Sequence, residues 1–182
     1  DARLDTAARM IHGYMEAFWV NQCAEAVPDV QLHLYMNAFR NSKTTMYRGS
    51  GPAGDSTKWG WIDIEEFTLA DGRDLLPYMH FIRPDDGNPY DSTVVQVMLP
   101  EPASPGDTVS VKVRFITKMP SKIRRTGYND DYYFVAQWFP KFGVYEPAGM
   151  RARVSGGWNC HQFHASSEFY ANHSVYNVSI TV

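Results

Sequence analysis

The residues best suited to chemistry lie between Cys160 and Glu168, where Cys160, His161, His164 and Glu168 fall within nine positions. Thiolate, imidazole and carboxylate are transition-metal ligands, and a zinc site needs three or four of them at about 2.0–2.3 Å from one ion. Residues three apart on a strand point to opposite faces, so His161 and His164 meet only where the chain bends or winds. His12, His33, His80 and His173 are scattered singly, and no second cluster completes a site. The segment is therefore read as side chains that pin a long loop or face a neighbouring domain, with no metal ligands among them. Glu65-Glu66 and Asp130-Asp131 are the remaining carboxylate pairs. Neighbours on a strand point opposite ways, which spoils the shared face that glycoside hydrolysis needs. The chain contains no G-x-S-x-G elbow, P-loop or dinucleotide-binding glycine pattern. Catalysis by this chain alone is not expected.

The elements that would position these groups alternate between apolar and polar residues. Val109, Val111, Val113 and Phe115 share one phase over Val109 to Ile116, the cleanest such run. Strands are also expected over Met10 to Val20, Gln31 to Tyr35, Trp61 to Leu69, Tyr78 to Ile82, Thr93 to Leu99 and Val175 to Val182. Helical turns are expected only at Tyr35 to Asn41 and Ala165 to Tyr170. Pro/Gly breakers at Ser50 to Asp55, Pro84 to Pro89 and Pro100 to Asp107 separate the runs. Short, evenly spaced strands with turns predict an all-β fold, an antiparallel β-sandwich, in one domain spanning residues 1–182.

Composition narrows the partners. With 44% hydrophobic residues and 20% charged ones, the 182-residue chain can bury one core. A net charge of −3 gives no electrostatic footprint for nucleic acid. The basic run Lys122 to Arg125 reads as a solvated turn. No apolar run approaches the roughly 20 residues of a membrane helix. Cys23 and Cys160 read as free structural thiols, with pairing in an oxidising compartment the alternative. Trp59, Trp61, Trp138 and Trp158 are either core and interface residues or a sugar-stacking platform.

Several segments together resemble the N-terminal domain of the aminopeptidase N-like (gluzincin) zinc metallopeptidases, in a divergent bacterial branch. ARLDTAARMIHGYMEAFWVNQ is similar to the opening hairpin of that domain, and VQLHLYMNAFRN to its next strand and turn. LPEPASPGDTVSVKVRFITKMP is similar to a further turn and strand. VAQWFPKFGVYE and GWNCHQFHASSEFYANHSVYNVSITV carry the most specific likeness, and the resemblance covers nearly the whole chain. It implies a saddle-like sandwich that packs on a thermolysin-like catalytic domain, whose zinc activates water for cleavage of N-terminal residues from peptides.

In that family the N-terminal domain supplies a Gln or Glu that holds the substrate's α-amino group. Motif order places this role on Gln137, and counting back from Pro140 places it on Asp131. Trp138, Phe139, Tyr145, Trp158, His161, His164 and Glu168 would face the catalytic domain. The His-Glu-x-x-His helix and the GxMEN strand do not occur here, and the commoner FPCFDEP reads WFPKFGVYEP. The implied zinc therefore belongs to a domain outside these residues, and no cofactor is expected within them. The expected role is a non-catalytic N-terminal part of a longer periplasmic or secreted polypeptide. The alternatives are a stand-alone β-sandwich binding module for glycan or peptide, and a structural domain of a family member without activity.

Overall fold

The computed structural model describes residues 1–48, 55–121, 125–168 and 170–182. The strands are β1 (Ala2–Asp5), β2 (Met10–Val20), β3 (Val27–His33), β4 (Trp61–Leu69), β5 (Met79–Ile82), β6 (Val94–Ala103), β7 (Thr108–Lys118), β8 (Thr126–Asn129), β9 (Tyr132–Val135), β10 (Lys141–Phe142), β11 (Val144–Glu146), β12 (Gly157–Asn159) and β13 (Ile180–Thr181). They form a five-stranded sheet in the order β13-β1-β2-β7-β4 and a four-stranded sheet in the order β10-β3-β6-β5. The hairpins β8–β9 and β11–β12 stand beside these sheets. The architecture is all-β and sandwich-like, and no helix among the described residues reaches seven residues.

Alternation builds the core. On β7, Val109, Val111, Val113 and Phe115 are buried, while Lys112 and Arg114 lie on the other face. Ile62 and Phe67 of β4 join them, and Val30, Leu32, Val95 and Val97 close the core from the four-stranded sheet. Each such side chain contributes about 1.5–3 kcal/mol when fully buried. On β2 the core-facing residues include Gly13, directly across from Phe115. A register shift between Ile64 and Glu66 bulges β4 against β7. Beyond that bulge Glu66 meets Arg114 at 2.8 Å, so it is spent on a surface ion pair.

The structure departs from the sequence pattern at several places, one of them β6, which runs on through Pro100 to Ala103 where a breaker is expected, with Ala103 paired to Val27. β3 begins at Val27 and ends at His33, where Leu34 leads into a 3-10 turn over Tyr35–Phe39 whose residues are all buried. Of the strand expected over Val175 to Val182, only Ile180–Thr181 pairs, in parallel with Ala2 and Arg3 of β1. The rest of that segment has the alternation but no neighbouring strand, and Val175 stays 93% exposed. At Ala165 to Tyr170 the chain makes a short turn, and Phe169 lies outside the described residues. So do residues 49–54 and 122–124, hence most of the Ser50 loop and the Lys122 basic run. Among the described residues, no helix is long and apolar enough to cross a membrane.

Candidate functional site

Two places gather polar groups, and the turn after β9 is the first. The hydroxyl oxygen of Thr126 accepts the backbone N–H of Gln137 at 2.9 Å and of Ala136 at 3.3 Å, which fixes the exit of the β8–β9 hairpin. The Thr117 hydroxyl donates to the Trp138 carbonyl at 2.7 Å, tying the same turn to β7. The Trp138 ring lies 5.9 Å from Phe115 and 5.3 Å from Phe139, and Phe139 meets Tyr176 at 5.7 Å. Held between these anchors, Gln137 has a buried side-chain carbonyl oxygen that accepts no hydrogen bond from any described residue.

Asp131 occupies a different position. It follows Asp130, whose φ of 51° makes the hairpin turn left-handed. Arg9 clasps this hairpin from the β1–β2 turn, donating to the Asp130 carbonyl at 3.0 Å and to the Tyr133 hydroxyl. Its guanidinium also sits 4.7 Å from the centre of the Tyr128 ring. The four-residue β9 separates the Asp131 turn from Gln137, about 13 Å at strand rise. The two candidates for amine binding are thus at opposite ends of one strand.

The second place is a cavity of about 280 Å³ lined by His33, Asp85, Cys160, His161, His164 and Glu168, among others. Residues 160–164 lie in neither strand nor helix, and both histidines of this stretch reach Asp85. His161 Nδ1 lies 2.5 Å from Asp85 Oδ1, and His164 Nε2 lies 3.2 Å from Oδ2. The Gln162 backbone N–H also donates to Oδ2, at 2.8 Å. Burial alone would raise the Asp85 carboxyl, but the hydrogen bonds from His161, His164 and Gln162 outweigh it and hold it below its ordinary value. With Asp85 ionised, each imidazole donates one N–H to it, from Nδ1 in His161 and from Nε2 in His164. The Gln162 side chain completes the tie, accepting from the Asp85 N–H at 3.2 Å and donating to Thr45 at 2.8 Å and Asp86 at 2.9 Å.

The two imidazoles approach opposite oxygens of one carboxylate, and among the described residues no group of three or more His, Cys, Asp or Glu is placed to hold an ion. Glu168 instead pairs with Arg125. Cys160 is buried, and burial, with the nearby Asp85 charge, pushes its thiol up to about 12. Cys23 is half-buried and is also raised, by burial and Glu25. Both are free thiols. The thiolate is the reactive form, so a thiol reagent at neutral pH is expected to modify Cys23 slowly and Cys160 far more slowly still, on a timescale set by opening of its segment. Mass spectrometry would then count one label in the native chain and two in denaturant, whereas rapid native labelling of Cys160 would contradict its burial.

The residues expected to face another domain divide into two groups. Trp138, Phe139 and Trp158 are half-buried against the chain's own core. The Trp158 ring lies tilted 5.2 Å from Trp19 and meets Tyr145 edge to face at 5.4 Å, and its Nε1–H donates to Asp29 at 3.2 Å. The side chains of His161, His164 and Glu168 are largely exposed. Asp85, the centre of the cavity, carried no signal as a site residue in the sequence, because Pro84-Asp-Asp-Gly-Asn-Pro has the composition of an ordinary loop tip. No protein-family model matches the chain, and no curated protein matches it at a significant level.

Proposed function

We propose that this chain is a non-catalytic β-sandwich that braces a zinc-dependent aminopeptidase-like catalytic domain and lines the pocket for the substrate's N-terminus. The observation that carries this reading is the buried Gln137 carbonyl oxygen, which no described donor satisfies. Burying such a group without a partner costs about 1–3 kcal/mol, and the α-ammonium of a peptide is a donor of the right kind, which the oxygen meets once the side chain turns out of the closed position it holds in the chain alone. Gln137 is the residue that the motif order selects, and its backbone is held on both sides by Thr126 and Trp138. Asp131, exposed at the hairpin tip, would act as a rim charge that attracts the ammonium.

Tyr132 and Phe134 alternate along the outer face of β9 and are both exposed, as is the uncharged run from Val175 to Val182. Apolar surface of this kind fits a domain that meets a neighbour. In this reading the zinc is held by the catalytic domain, the substrate is a peptide, and the polypeptide is periplasmic or secreted. The rival reading, a stand-alone glycan- or peptide-binding module, is favoured by one observation. Tyr14 and Phe18 stand exposed on the open face of the five-stranded sheet, as stacking aromatics would.

The coding sequence beyond Val182 discriminates between the two. The peptidase reading expects a His-Glu-x-x-His helix and a later Glu, and a stop codon directly after Val182 favours the binding module. In the extended polypeptide, Gln137→Ala is expected to lower kcat/KM for free-amine substrates by about 10- to 100-fold, the worth of one charge-assisted hydrogen bond. Equal kcat/KM in the variant would remove Gln137 from the role.

A further inference from the structure

We propose that His33 is an acid-sensitive latch, whose protonation releases the 160–168 segment from the end of the four-stranded sheet while both sheets stay folded.

His33 is the last residue of β3 and sits on the opposite face from the core residues Val30 and Leu32. The His161 carbonyl lies against the ring, which lines one cavity with Cys160, His161, Gln162 and His164. A carbonyl oxygen only accepts, so His33 Nε2–H donates to the His161 carbonyl, at 2.9 Å. Burial lowers the imidazole from 6.5 to about 3, and the hydrogen bond to His161 only partly offsets this. The closed form therefore holds His33 neutral. A form in which the segment lifts away restores solvent to the ring, and with it the ordinary affinity for a proton.

The sign follows from that difference. Between pH 6.5 and about 3 the open form binds one more proton than the closed form, so acid favours opening. The charged and titratable groups facing the ring are Lys141 from β10, Asp85 from the 83–91 loop, and His161, His164 and Glu168 from the segment itself. Lys141 disfavours a second positive charge in the closed form, and the carboxylate of Asp85 favours it. His161 and His164 are bonded to Asp85 in the closed form, and a substitution at His33 leaves those groups in place. The contribution of His33 is therefore the difference between the chain and a variant lacking the imidazole.

Opening is local because of what holds the segment. Beyond Asn159, where the β11–β12 ladder ends, its polar ties run through side chains to loops, to Asp85, Asp86 and Thr45, and its one core anchor among the described residues is Phe163, which packs beside Tyr35 at 5.0 Å and Phe39 at 6.3 Å. Val113, by contrast, lies in the middle of β7 between β2 and β4, fully buried. Local openings of weakly tied segments occur well below the free energy of global unfolding.

Amide hydrogen exchange read by NMR from pH 4.5 to 7, corrected for intrinsic rates, tests the latch on the full 182-residue chain and on His33→Gln. Gln can donate to the same carbonyl but cannot take the proton. The amide of Gln162 is expected to open at least about tenfold more often than that of Val113 at every pH. Below pH 6.5 its opening constant in the native chain is expected to gain on that of His33→Gln by about tenfold per pH unit. Equal opening constants at Gln162 and Val113, or equal pH slopes in the two chains, would overturn the proposal. Should His33→Gln fail to fold, direct NMR titration of the native ring decides. A neutral His33 down to about pH 4.5 supports the latch, and ordinary titration near 6.5 contradicts it.

Discussion

Gly13→Ala is expected to destabilise the chain by about 3 kcal/mol, the upper range for forcing extra atoms into a packed core. A Cβ at position 13 would fall 2.6 and 2.7 Å from the two Cε atoms of Phe115, and closer still to its Cζ. The ring has little room to retreat: Phe115 is 1% exposed and lies against Trp138. The strain would therefore pass along β7 to the turn that carries Gln137. Urea unfolding measures the loss, and Phe115→Leu in the Gly13→Ala background should recover part of it, since the shorter side chain leaves space for the methyl group. A loss below about 1 kcal/mol would mean that the ring relaxes freely and that the core does not set the position of the turn.

The second large effect is expected at the cavity. Asp85→Ala removes the acceptor of His161, His164 and the Gln162 amide together. Hydrogen bonds to an ionised group contribute about 1.5–3 kcal/mol each when buried. Both imidazoles are partly solvated, so the combined loss is expected near 2–3 kcal/mol and not the sum. It should be confined to the segment: amide protection falls at Gln162 and His164 and stays high at Val113. An equal fall at Val113 would show that the 83–91 loop supports the whole sandwich and not the 160–168 segment alone. Asp85 is held below its ordinary carboxyl value, so its contribution is present at neutral pH. It is lost only as pH falls through the acid range below 3.8.

The parts of the fold that the sequence made legible are those governed by local periodicity. β2 spans Met10–Val20 and β4 spans Trp61–Leu69, both at the bounds set by their alternation. The same rule that places Val109 to Phe115 inward failed over Val175 to Val182, because alternation supplies a face and not a partner to cover it. The cavity was half legible. The Cys160 to Glu168 cluster stood out by residue type, and its two histidines reach one carboxylate from a stretch that is neither strand nor helix. Asp85 stood out by nothing, since it joins His161 and His164 from 76 and 79 residues away. The buried Gln137 oxygen depends on a comparable long-range fact, the anchoring of its turn by Thr117 and Thr126.

The central claim is that this sandwich serves a zinc peptidase without itself holding the zinc or cleaving the substrate. It is tested most directly by assaying amino-acid amide hydrolysis and zinc content together, on the 182-residue chain and on the polypeptide extended through its downstream coding sequence. The account predicts no turnover and no stoichiometric zinc in the chain alone. In the extended polypeptide it predicts zinc-dependent, chelator-sensitive turnover that Gln137→Ala weakens for free-amine substrates. Chelator-sensitive turnover with bound zinc in the 182-residue chain alone would contradict it, and would make the Cys160 to Glu168 cluster a metal site after all.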